Sequence, residues 1–137
     1  MPRKQGLRLK DQEISFAAYS ELKAFCLQYE EKKRRLADVY GGGWGHRTEM
    51  PRGNTCADPT AHRAEIAAKL SNDVELIEKT AKEVDDSIAT YLLKNVTQEW
   101  TWDAMKLHDN IPIGRRQFYA ARKRFFFLLA LKKDMIE

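Results

Sequence analysis

The chain has 137 residues, 43% of them hydrophobic and 10% aromatic, which suits one domain with a modest core and argues against disorder. No apolar run approaches the ~20 residues of a membrane-spanning helix, and the basic N-terminus leads into no apolar signal core. The net charge of +4 is small but lies at the ends, where no acid interrupts Arg3, Lys4, Arg8 and Lys10, nor the seven cations from Arg115 to Lys133. Such asymmetry points to a polyanionic partner, nucleic acid first.

Residues 1–13 read as a basic, flexible arm able to touch phosphates. No sustained apolar/polar alternation follows, so strands have no support and the expected fold is all-α. A first helix is predicted over about 14–40, with Ala18, Leu22, Phe25, Tyr29, Leu36 and Tyr40 on one stripe. Lys32 and Lys33 interrupt that stripe and should loosen its packing. Cys26 falls on the same stripe, where a buried, inert thiol is expected. Cys26 and Cys56 make no disulfide or metal pattern, and His46, His62 and His108 add no zinc or nuclease spacing. The glycine run GGGWGH lacks the Lys-Ser/Thr ending of a phosphate loop. No catalytic residue, metal site or cofactor is therefore assigned, and the chain reads as a non-enzyme.

The glycines from Gly41 stop the first helix and open a long loop, residues 41–58, carrying Trp44 and His46. Asp58-Pro59 looks like a helix start, with Asp as cap and Pro in the first turn. Ala67, Leu70, Val74, Ile77, Ala81, Val84 and Ile88 then recur with a seven-residue rhythm. The seam fits either packing within the chain or pairing with a second subunit. Asp85-Asp86-Ser87 should split this helix and start a second piece with Ile88, Tyr91, Leu92 and Val96 facing inward. Residues 14–96 thus form a helical body.

From 97 onward the layout is a short helix near Trp100–His108, a turn at Asp109–Gly114, and a longer basic helix from about Gly114 to Lys133. Trp102, Met105 and Leu107 are placed inward on the short helix. Short helix, turn and basic helix is the order of a helix-turn-helix, whose second helix enters the major groove of duplex DNA. On a helical wheel, Gly114, Arg122, Phe125 and Leu129 lie within about 40° of Phe118. Arg116, Ala120, Lys123 and Phe127 fall opposite, with Tyr119 beside them. Arg pairs with guanine edges and Gln with adenine, so Arg115, Arg116, Gln117, Tyr119 and Lys123 form the expected groove-facing set. Arg122, Arg124 and the later lysines suit phosphates. Three consecutive phenylalanines cannot share one stripe, so Phe126 and Phe127 require wrapping by another helix or a partner.

The segments DPTAHRAEIAAKLSNDVELIEKTAKEV, YLLKNVTQEWTWDAM and IPIGRRQFYAARKRFFFLLA resemble RinA/ArpU-type phage transcriptional regulators. YSELKAFCLQYEEKKRRLADVY, followed by a glycine-rich loop, is similar to the same group. The resemblance implies a regulator of phage late genes, in the cytoplasm of a bacterial host, with a sigma-like C-terminal helix-turn-helix. It also implies double-stranded DNA as partner, with host RNA polymerase and a second copy of the chain as further candidates. IPIG departs from the short polar turn of such motifs. A reading from another class is a phage protein-binding module, inhibitor or small terminase-like packaging protein. It would use the heptad seam, Trp44 and Phe126-Phe127 as its surfaces.

Overall fold

A computed structural model describes residues 6–9, 12–41 and 59–136, and the protein over these residues is mostly helical. The chain opens with a two-stranded antiparallel hairpin, β1 (Leu7–Leu9) and β2 (Gln12–Ile14), paired Leu7 with Ile14 and Leu9 with Gln12. This corrects the strand-free expectation. Leu7 and Leu9 alternate with exposed Arg8 and lean on the core, so even a three-residue strand buries one face. Gly6 explains the tight approach that follows: a Cβ there would come within 1.7 Å of the Ile14 carbonyl oxygen. Arg3, Lys4 and Lys10 of the expected arm lie outside the described residues.

The first helix is two: α1 (Phe16–Leu27) and α2 (Tyr29–Gly41). Ser15 caps α1 through its hydroxyl, which accepts from the Ala18 N–H at 3.1 Å. The two meet at Gln28, whose N–H turns to the carbonyls of Phe25 and Cys26, a tightened last turn. Leu22, Cys26 and Tyr29 are buried and Ala18, Phe25 and Leu36 half-buried, so the stripe runs across the junction. Lys32 does not loosen the packing. Its ammonium sits 2.8 Å from an Asp73 carboxylate oxygen and 4.3 Å from the Phe25 ring centroid. An amphipathic side chain thus closes a gap in the stripe with its stem and carries its charge to a partner.

α3 (Pro59–Asp85) is the spine, packed against α2 on one side. Its heptad residues Ala67, Leu70, Val74, Ile77 and Ala81 are buried. The seam is therefore spent inside the chain. Asp85 leaves the helix in an extended conformation and its carboxylate accepts from the Ser87 N–H and hydroxyl. That cap drives the expected split: a 3-10 turn over Asp86–Ile88, then α4 (Ala89–Gln98).

Two short turns lead through α5 (Trp102–Asp109) to α6 (Arg115–Lys132), which packs on α3, α4 and α1. Glu99 and Asn110 both take left-handed torsions, φ 62° and 52°, and so stop α4 and α5. Phe118, Phe125, Phe126 and Leu129 are fully buried and Phe127 is 3% exposed. Phe126 meets Tyr19 of α1 edge-to-face at 5.3 Å. Contact with α1 thus accounts for Phe126, while Phe127 is buried rather than on the outward face expected for it.

Candidate nucleic-acid interface

The connector between α5 and α6 is fixed from three sides. Ile111 is fully buried. The Trp102 indole N–H donates to the Ile113 carbonyl at 2.9 Å, and the Trp102 backbone N–H donates to the Tyr119 hydroxyl at 3.2 Å. Thr101 caps α5 by accepting from the Ala104 N–H at 3.1 Å. At the far end of α5, Asp109 pairs with Lys94 of α4 at 2.6 Å, and that ammonium lies 4.8 Å from the Trp100 ring centroid. Met105 faces inward as expected, Trp102 is half-buried, and Leu107 instead stands 82% exposed. IPIG is thus a rigid bracket, in which Ile111 does the anchoring that a polar turn would leave undone.

The bracket presents the first turns of α6 to solvent. Arg115, Arg116, Gln117 and Ala120 are exposed, Lys123 is half-buried and Arg124 is exposed. The first turn holds no acid. Helix N-termini carry partial positive charge and four unsatisfied N–H groups, so two arginines there are electrostatically misplaced unless an anion joins them. Neither arginine pairs with a carboxylate among the described residues. The Gln117 side-chain oxygen accepts from the Gly114 N–H at 3.4 Å, a loose contact that leaves its amide near the same edge. Beyond it a groove of about 260 Å3 runs between α6 and the end of α3, with Gln117, Ala120 and Arg124 on one wall and Asp85 and Ile88 on the other.

Two of the expected contact residues turn inward. Arg122 donates from Nε to the Asn95 Oδ1 at 2.6 Å and from Nη1 to the Tyr19 hydroxyl at 2.9 Å, with its guanidinium 4.9 Å from the Phe126 centroid. Its wheel position, beside Phe118 and Phe125, already put it on the packed side. The phosphate role expected for Arg122 is corrected to a structural one. Tyr119 is half-buried, stacked edge-on against Phe118 at 5.2 Å, and its hydroxyl is engaged with Trp102. It holds the bracket rather than standing free at a groove. Asn95 was missed by sequence reading. It is buried and also donates to the Trp100 carbonyl at 2.7 Å, so it ties Arg122 to the turn before α5. The seam and Phe126-Phe127, the surfaces of the protein-binding alternative, are interior, while Trp44, His46 and Cys56 lie outside the described residues.

Among the described residues no three ligating side chains converge on a metal position and no helix is long and apolar enough to cross a membrane. Comparison with known proteins finds no matching family model, no matching curated protein and no matching solved structure.

Proposed function

We propose that the protein binds double-stranded DNA sequence-specifically through the N-terminal half of α6, as a transcriptional regulator of phage type. The observation that carries this reading is the pair Arg115 and Arg116, exposed without carboxylates in the acid-free first turn of a rigidly bracketed helix. Gln117, Lys123 and Arg124 extend the face, and small Ala120 lets it approach a groove floor closely. Arg116 and Gln117 supply base-edge donors; Arg115, Lys123 and Arg124 supply phosphate contacts. The resemblance to RinA/ArpU-type regulators supports the same reading and adds a bacterial cytoplasm, host RNA polymerase and a paired second copy as its setting.

The test is binding to duplex DNA from around the protein's own gene, against a scrambled duplex, over a range of salt. Preference for the native DNA with steep salt dependence is expected. Arg116→Ala should remove about 1–3 kcal/mol of that preference. Equal, weak binding to both duplexes, or an unchanged preference in the Arg116 variant, overturns the assignment.

A further inference from the structure

The groove beside the first turns of α6 has opposite charges on its two walls and an apolar floor. It encloses about 260 Å3 between Gln117 and Arg124 on α6 and Asp85 at the end of α3. Buried Ile88 and Ala121 and half-buried Ile113 line the space between them. Arg124 and Asp85 do not pair with one another, and neither pairs with any other charged side chain among the described residues. Asp85 uses only Oδ1 to cap Ser87, which leaves Oδ2 without a bond to the described protein. Asp85 also closes α3, where the last carbonyls carry partial negative charge. Gln117 sits in the first turn of α6, where the N–H groups carry partial positive charge. The helix ends therefore reinforce the side chains, negative on the α3 wall and positive on the α6 wall.

We infer that this groove binds a free α-amino acid with a branched aliphatic side chain. The ligand carboxylate accepts from the Arg124 guanidinium and the Gln117 amide, and the ligand ammonium donates to the Asp85 carboxylate. A molecule with only one of these charges leaves the other wall unmatched. The aliphatic side chain lies on Ile88, Ile113 and Ala121 and leaves water in doing so. Size sets the same limit: 260 Å3 equals about nine waters at roughly 30 Å3 each, so a ligand of about nine non-hydrogen atoms fills the groove. Leucine is of that size, and drug-sized ligands need more room. Arg124 and Gln117 also belong to the proposed reading face, so the amino acid competes with DNA; this consequence alone rests on the DNA-binding reading.

The experiment is isothermal titration calorimetry of the protein, without DNA, against L-leucine up to millimolar concentration, then against L-leucinamide and 4-methylpentanoate. Leucine should bind at a single site, and each analogue, lacking one charge, should bind at least about tenfold more weakly. Arg124→Gln should erase the advantage of leucine over leucinamide, and Asp85→Asn its advantage over 4-methylpentanoate. Asparagine keeps an acceptor for Ser87, so the cap survives. Ala120→Leu, at an exposed position of the groove wall, should block binding while the far-UV circular dichroism stays unchanged. No saturable heat with leucine, an analogue that binds as well as leucine, or undiminished leucine binding in the Ala120 variant overturns the site. Fluorescence anisotropy reads the consequence: leucine should weaken binding of a labelled native duplex by the unaltered protein but not by Asp85→Asn. A duplex affinity indifferent to leucine, with the calorimetry as expected, overturns the competition alone. Absence of DNA binding by the unaltered protein overturns the DNA-binding reading, and leucine binding in the calorimeter then still supports the site.

Discussion

The indole N–H of Trp102, at the start of α5, donates to the carbonyl of Ile113, two residues before α6 begins. One side chain therefore spans the whole turn and sets where the basic helix emerges. Its backbone N–H reaches the Tyr119 hydroxyl as well, so α5, the connector and α6 share one node.

Trp102→Phe keeps the ring and removes the indole donor, leaving the half-buried Ile113 carbonyl short of a partner. The expected cost is about 1–2 kcal/mol in chemical denaturation, with faster amide exchange at residues 113–117. Amide exchange that is unchanged there would show that the connector is held by Ile111 alone.

Arg122→Lys retains charge but cannot serve Asn95 and Tyr19 together or lie flat on Phe126. A loss of about 1–3 kcal/mol of stability is expected, read by urea unfolding. At temperatures where the variant is folded, the salt slope of DNA binding should match the parent protein. A flatter slope would return Arg122 to the phosphate-contacting set.

Much of this was legible beforehand. The three-four spacing of α3, the break at Asp85 and the inward faces of Met105 and Phe125 follow from periodicity and capping, which are local. The hairpin was missed because Leu7-Arg8-Leu9 is too short to register as alternation, and its partner strand is only half as apolar. Arg122 was misjudged because charge was weighed above wheel position. The apolar stripe named its place, but its partners Asn95 and Tyr19 lie 27 and 103 residues away. Lys32 failed in the same way, since Asp73 reaches it only once α2 and α3 pack.

Glu99 closes α4 with φ 62°, a conformation that strains a side-chain-bearing residue. Glu99→Gly should raise stability by about 0.5–1 kcal/mol, whereas Glu99→Val should lower it by at least as much. Thermal unfolding of the pair settles the sign, and destabilisation by glycine would mean that the glutamate side chain supplies an interaction that outweighs the strain.

Burial pushes the Cys26 thiol from its ordinary 9.0 up to about 12, against the lowering influence of Arg122, Lys133 and Lys32. Tyr29 is likewise raised, by burial first and then by its hydrogen bond to the Glu78 carboxylate. The unfolded thiol ionises near its ordinary value while the folded one keeps its proton. Stability is therefore full below about pH 9 and drains as pH climbs towards about 12, at roughly 1.4 kcal/mol per pH unit for this group. Cys26→Val should flatten the alkaline limb of a stability-against-pH curve; an unaltered limb would assign the loss to other groups.

The internal seam of α3 has a consequence for how the chain is made. Ile77, Ile88 and Leu92 share their core with Phe118, Phe125 and Phe126, and these phenylalanines are synthesised later. Translation at about 5–20 residues per second leaves roughly 2–9 seconds between Ile88 and the end of α6. For that interval the chain lacks the phenylalanines that complete its core. The helix proposed to read DNA is thus also the keystone of the body, so a chain released before α6 is complete would lose its fold together with its reading face.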